Sequence, residues 1–207
     1  RLNGVNNSSL KLEAELPIWF TRKSFFSGDL NSKIAIDTFP LSDLSPLFKI
    51  PLSGNLNANG IIQGPLSAIN ANISVDLDNP QWNGIRLREK WNGNFKRIPK
   101  ELNWGQLKMS SIGAAVPGDL ILNIDRFGSL KNLTLNRLGG QILLESNPEK
   151  YKWKAKDFRL DRIEVAIPPE RSFKRIFGKL NGNGVIGLSP LQANGILTIL
   201  YPRLKSL

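Results

Sequence analysis

Residues 52–80 read LSGNLNANGIIQGPLSAINANISVDLDNP, and how its Asn and Gly residues are taken decides the fold. From Ala71 to Asp78 every odd position is apolar and every even one polar, so a strand here shows opposite chemistry on its two faces. The earlier part reads as turn, strand, turn. Asn59-Gly60 belongs with Asn3-Gly4, Asn83-Gly84, Asn92-Gly93, Asn181-Gly182, Asn183-Gly184 and Asn194-Gly195, pairs that tolerate the positive φ of tight hairpins. Asn and Gly also stand where a catalytic site would place acids, bases or nucleophiles.

The same alternation recurs on both sides of this stretch. Leu10, Leu12, Ala14 and Leu16 alternate with Lys11, Glu13 and Glu15. Ile34 and Ile36, Ile85 and Leu87, Trp91 and Phe95, Leu120, Leu122 and Ile124, Leu133 and Leu135, Trp153 and Ala155, Phe158 and Leu160, then Ile163, Val165 and Ile167 continue it. Short strands about 10 to 15 residues apart, separated by turn signals, predict an all-β, mostly antiparallel protein. Helical spacing is confined to Leu41–Ile50, interrupted by Pro46, and Glu170–Phe177. A sheet with one apolar face and no helical cover must pack on another sheet, close into a barrel, or shelter an apolar ligand.

Composition narrows the function. The 207 residues, 41% of them hydrophobic, suffice for a real core, and the absence of Cys and His removes thiol nucleophiles, disulfides, imidazole triads and Cys/His metal sites. The net charge of +11 favours acidic partners such as nucleic acid, anionic headgroups or an acidic protein surface. The chain opens on Arg1 with no signal pattern and no apolar run near membrane-spanning length, so it reads as a fragment whose anchor would lie elsewhere.

An internal repeat is also present. Gly54–Ile62, GNLNANGII, returns as Gly178–Ile186, GKLNGNGVI, and each copy is followed by Pro-Leu (Pro65-Leu66, Pro190-Leu191) and a further strand. Repeat units near 39–80 and 170–200 suggest a sheet extended by repetition within one continuous unit, residues 1–207.

The pattern PLSDLSPLF (40–48) followed by the opening stretch resembles the C-terminal repeat region of TamB-like proteins, relatives of the AsmA group of bacterial envelope proteins. The second half, from LTLNRLGGQILLES (133–146) to GKLNGNGVIGLSPLQANG (178–195), looks most like the cyanobacterial branch and its plastid counterpart in inner-envelope protein import. The resemblance covers roughly residues 39–200 and rests on degenerate glycine-and-apolar patterns. It implies an elongated, curled sheet, the U-shaped β-taco, with an apolar groove. It further implies a periplasmic body anchored in the inner membrane, an outer-membrane barrel partner of the Omp85 class, and non-enzymatic movement of phospholipid between membranes. Assembly of outer-membrane proteins is the alternative activity it implies.

On that reading Ile73, Val75, Leu77, Leu120, Leu122, Ile124, Leu160, Ile163, Val165 and Ile167 line the groove, although the same residues would equally line a dry sandwich core. Arg171, Lys174 and Arg175, close together on a short helix, are candidate headgroup contacts. No catalytic residue, metal site or cofactor is expected, and nucleic acid is not an expected partner.

Several motifs resolve to structure rather than chemistry. Gly182–Gly187 matches G-x-G-x-x-G, yet no long helix follows, and it reads as a hairpin turn. Asp76 with Asp78, and Glu13 with Glu15, sit ~7 Å apart on strand faces without a further acid that would make either pair catalytic. In Tyr151–Lys156 alternation puts the rings on one face and the lysines on the other, unlike a single-strand binding platform. Competing readings are a scaffold that captures client strands at a sheet edge and an ordinary adhesion or carbohydrate-binding sandwich. A transmembrane barrel fits less well, because many strands are short and only two Tyr are present.

Overall fold

Period-two patterning makes strands along nearly the whole chain. A computed structural model of the protein describes residues 2–3, 9–15, 18–20, 25–48, 51–65, 67–97, 104–113, 116–147, 150–167, 172–188 and 191–206. Strands β1 (Leu2–Asn3), β2 (Ser9–Glu15), β3 (Ile18–Phe20), β4 (Phe25–Ser27) and β5 (Leu30–Pro40) precede a 3-10 turn, Leu41–Leu44, and a one-turn helix, Ser45–Phe48. There follow β6 (Leu52–Gly64), β7 (Asn70–Trp82), β8 (Ile85–Arg86), β9 (Lys90–Arg97), β10 (Gly105–Ile112) and β11 (Gly118–Ile124). The last are β12 (Leu130–Arg137), β13 (Gly140–Asn147), β14 (Lys150–Arg159), β15 (Ile163–Ile167), β16 (Ser172–Leu188) and β17 (Leu191–Ser206). The all-β, antiparallel expectation holds. The second expected helix does not: Glu170–Phe177 falls partly outside the described residues, and Ser172–Phe177 opens β16.

Most strands belong to one sheet, and its pairing returns to its start. The ring runs β7-β9-β10-β11-β12-β13-β14-β16-β15-β8 and back to β7, a closed ten-strand barrel rather than a sheet open along its length. Two long strands, β7 and β16, act as pillars. Along one edge β7 pairs first with β9, over Ala71–Leu77, and then with β8, at Gln81–Trp82. β16 likewise carries β15 over Ser172–Ile176 and β14 over Lys179–Ile186. At one end the pillars are therefore joined by β8 and β15 alone, through Ile85↔Val165 and Arg86↔Glu164. Farther along they are joined by the run β9 to β14. Strands lie ~4.8 Å apart, so the short route holds the pillars about 14 Å from each other and the longer route must arch outward. Outside the ring, β6, β5, β2 and β1 extend the sheet from β7, and β17 pairs with β16.

The glycines correct the sequence reading. Of the Asn-Gly pairs, only Asn83-Gly84 forms a described turn; Asn59-Gly60, Asn92-Gly93, Asn181-Gly182, Asn183-Gly184 and Asn194-Gly195 lie inside strands, and Gly4 is outside the described residues. The first half of residues 52–80 is thus one strand, β6, and the G-x-G-x-x-G match lies in the middle of β16. The physical reason is close approach of the paired strand, whose backbone carbonyls would collide with a Cβ at Gly60, Gly93, Gly182, Gly184 or Gly195, reinforced at several positions by neighbouring rings. A Cβ at Gly182, Gly184 or Gly195 would touch the Trp153 indole at 2.8–3.0 Å, one at Gly105 would touch the Phe95 ring at 2.8 Å, and one at Gly118 the Trp91 ring at 3.0 Å. Large rings lying over bare backbone satisfy strand packing that a side chain would obstruct.

The sequence repeat is also a repeat of distortions. In the first copy Thr38 takes φ 48° beside a register shift in β5, and its N–H donates to Asn57 Oδ1 at 2.7 Å. In the second, Asp157 takes φ 46° beside a shift in β14, and its N–H donates to Asn181 Oδ1 at 2.8 Å. On the next strand, Gly54 (φ 110°) matches Gly178 (φ 127°); on the strand after that, Asn79 (φ 48°) matches Tyr201 (φ 54°). A Cβ at Gly54 would meet Asp78 O, and one at Gly178 would meet Leu200 O, each at 2.7 Å. Each copy therefore stacks bulges across three adjacent strands, which bends the sheet along a line.

Asn181→Ala removes the acceptor for a partly buried N–H and is expected to cost about 1–3 kcal/mol in urea unfolding, whereas the exposed equivalent Asn57→Ala costs less because water replaces the amide. Equal losses at the two positions would count against the shielding argument.

Candidate functional site

Alternation in register turns one face of the arch apolar. Ile73, Phe95, Leu107, Leu122, Leu133, Leu144 and Trp153 stand opposite one another from β7 to β14, and all are half-buried. The next row, toward the seam, runs Val75, Gly93, Met109, Leu120, Leu135, Ile142 and Ala155, and here Met109 is only 2% exposed. A third level includes Leu77, Trp91 and Phe158, the last two buried. From the half-buried row toward the closed end exposure falls to a filled floor, while beyond that row, in the other direction, Ala71 and Gly105 are again buried. The opposite face is mostly polar, with Ile121 and Leu143 set among polar groups: Gln106 donates to Asn123 at 2.8 Å and Asn123 to Asn132 at 2.7 Å, and Lys152, Lys154 and Lys156 are exposed. Tyr151, Trp153 and Ala155 lie on the other side from these lysines, as alternation predicts.

The residues singled out in the sequence separate by depth. Ile73 and Leu122 are in the outer row, Val75 and Leu120 in the next, and Leu77 below them; Ile124 flanks Gly105 beside the Phe95 ring. Leu160 and Ile163 are buried with Phe158 in the core of the closed end, and Val165 packs against them. Ile167 ends β15, its side chain outside those described. The cationic trio does not form a helix face. Lys174 and Arg175 are neighbours on a strand and so point to opposite faces, and Arg171 lies outside the described residues.

Sequence reasoning missed Leu107, Met109 and Leu144, and it missed the charges at the closed end. Leu87–Glu89 and Leu160–Arg162 are jogs where β8 parts from β9 and β14 from β15. Arg137, at the end of β12 and 3% exposed, joins both: its Nη2 donates to Glu89 Oε1 at 3.0 Å and to the Asp161 carbonyl at 2.8 Å. Burial pulls the Arg137 guanidinium down from its ordinary value, and Glu89 opposes that shift. At the seam, Glu164 is fully buried between its cross-strand neighbours Arg86 and Arg175. Arg88 Nε reaches its Oε1 at 2.7 Å, Arg175 Nε the same oxygen at 3.5 Å, and Arg86 Nη1 its Oε2 at 3.6 Å. Arg86 also stacks on the Phe173 ring, 3.8 Å from its centroid. Only a sequence signal of two facing partners would have exposed these contacts, and Glu164 between Ile163 and Val165 reads as a solvated position.

Chemically, the arch offers a non-specific apolar surface ending in a floor of side chains and fixed charge. Among the described residues no group of three or more carboxylates comes together to hold a metal ion. Asp76 and Asp78 are engaged separately, by Asn92 Nδ2 at 2.6 Å and Lys90 at 3.1 Å. No family model, curated protein or solved structure matches the chain.

Arg137→Leu leaves the Glu89 carboxylate buried without its partner and is expected to cost about 3–5 kcal/mol in urea unfolding; adding Glu89→Leu should recover most of that loss. A double variant as unstable as the single one would refute the pairing argument. A second expectation concerns pH. The Arg159 hydrogen bond holds the Asp161 carboxyl below its usual value. Its contribution is therefore complete above the ordinary carboxylate range, about pH 4, and fades as pH falls through the folded value. The stability gap between wild type and Asp161→Asn should close in acid; a constant gap from neutral pH to about pH 2 would contradict this.

Proposed function

We propose that this chain is a non-enzymatic segment of a TamB-like envelope protein whose apolar inner face holds phospholipid acyl chains during movement between inner and outer membranes. The observation that carries the reading is the half-exposed row from Ile73 to Trp153, apolar at every position across seven consecutive strands. Toward the closed end the same face is buried, as at Met109, Trp91 and Phe158, whereas this row is left partly open. The arch β9 to β14 is the part that corresponds to the U-shaped trough of the family. The filled floor directs the path: tails enter and leave along the mouth and do not thread the seam. The resemblance supplies the rest of the proposal, a periplasmic location, an inner-membrane anchor carried by the parent chain, and an Omp85-class barrel as partner.

A specific observation favours a second reading, a scaffold for outer-membrane barrel assembly. Among the described residues β17 pairs only with β16, and it exposes Ile196, Leu197, Tyr201 and Leu204, Tyr201 to 80%. Such an edge is suited to accepting a client strand by β-augmentation.

Native mass spectrometry of the protein purified from membranes in mild detergent discriminates the two. Bound phospholipid should be lost on Val75→Arg or Leu122→Arg, because an unpaired charge among apolar groups is costly. The outward-facing Thr134→Arg should retain it. Lipid that persists in a folded Val75→Arg protein would overturn the apolar-face reading; a lipid-free wild type that captures an extended peptide at β17 would favour the scaffold.

A further inference from the structure

The charges at the fork where the sheet divides do more than hold the seam. Arg88, Glu89 and Lys90 from the first jog, Arg162 from the second, Ile112 and Gly113 from the end of β10, and Arg175 from β16 surround a cleft of about 320 Å³. Its carboxylates already have partners. Glu89 is paired with Arg137, and Glu164, behind the cleft, takes Arg88 and Arg175. One carboxylate neutralises one charge, so the guanidinium groups gathered on Glu164 leave a positive surplus facing the opening.

The donor geometry suits a tetrahedral oxyanion. Arg88 and Arg175 both approach Glu164 through Nε, and their Nη groups make no other hydrogen bond or ion pair among the described residues. Glu164 draws both side chains to the cleft and leaves their Nη groups available for the paired hydrogen bonds that guanidinium makes with phosphate. Arg162 adds a third cation. It is exposed, has no partner among the described residues, and adopts φ 67°, a left-handed conformation that disfavours Arg and suits Gly. That backbone belongs to the tight turn closed by the Ile163 N–H to the Leu160 carbonyl at 3.0 Å, and the turn carries the side chain to the cleft rim.

We propose that this cleft is an anion site for a phosphate group, with Arg88, Arg162 and Arg175 as its donors and Glu164 as the residue that positions two of them. The proposal stands apart from the apolar-face reading, because its residues lie at the closed end and none belongs to the row from Ile73 to Trp153. The phosphate is either free or borne by a lipid headgroup.

Isothermal titration of the whole chain with inorganic phosphate, and separately with dihexanoylphosphatidylglycerol below its micelle concentration, tests this. Both probes should bind wild type, and Arg162→Glu should weaken each by tenfold or more. Lipid binding at least tenfold tighter than phosphate that is lost on Arg162→Glu but kept on Val75→Arg assigns the site to headgroups; Arg162-dependent lipid binding equal to or weaker than phosphate assigns it to free phosphate. Arg162→Gly gives the discriminating control: it relieves the left-handed backbone and should raise Tm while lowering phosphate affinity. The proposal is overturned if neither probe binds wild type, or if both Arg162 variants, folded by circular dichroism, bind phosphate as wild type does. Failure of lipid displacement by Val75→Arg would leave this outcome unaffected, so the two readings fail separately.

Discussion

Closure of the barrel depends on one buried carboxylate. β8 and β15 meet through Ile85↔Val165 and Arg86↔Glu164, extended by the Ala166 N–H to the Gly84 carbonyl at 2.8 Å, a short backbone contact between two pillars. Glu164 adds attraction across it, because Arg86 faces the carboxylate from one strand, Arg175 from the other, and Arg88 closes over it. A buried charge without partners would be prohibitive; the three guanidinium groups around this one, themselves partly in water, offset part of that cost, although Glu164 Oε2 accepts no hydrogen bond among the described residues. Arg137 then ties the middle of the arch to both jogs, so floor and seam are fastened by the same kind of interaction. Everything above them is free to be apolar.

That division of labour explains the gradient of exposure. At the floor, Phe158, Leu160 and Ile163 are packed by Leu87 from the jog after β8 and by residues of β12, β13, β15, β16 and β17, where the short route draws the ring together. Toward the mouth the same strands diverge around the arch, and the side chains of the row from Ile73 to Trp153 are only half-buried. Hydrophobic burial is thus complete where the ring is narrow and incomplete where it is wide.

Local chemistry was legible in the sequence and long-range convergence was not. Alternation correctly places Ile73, Val75 and Leu77 on one face and separates Trp153 from Lys152 and Lys154, because side-chain direction in a strand depends only on parity. The Asn-Gly pairs misled for a physical reason. Their turn preference is a preference of bare backbone, and it is overridden by the close approach of the paired β16 and β17 backbones and by Trp153, which covers Gly182, Gly184 and Gly195 from another strand. Glu164 was invisible likewise: its neighbours in sequence say solvent, and its neighbours in space are arginines from β8, from the jog after it and from β16. The repeat was readable as words, but its meaning, a matched line of bulges through Thr38, Gly54 and Asn79 and again through Asp157, Gly178 and Tyr201, required the paired strands.

The two-route connection between the pillars also fixes an order of assembly. The arch from β9 to β14 consists of sequential neighbours, each joined to the next by a short connection, so it forms from contacts close in the chain. The seam cannot: Arg86 must wait until the entire arch and β15 have been made before it meets Glu164, and the loop so closed is entropically the more demanding. During synthesis the apolar face would therefore exist first as an open curl and become a barrel only at the end. That interval, with one edge of β8 unpaired, is when the chain is most exposed to capture by chaperones or by its own kind.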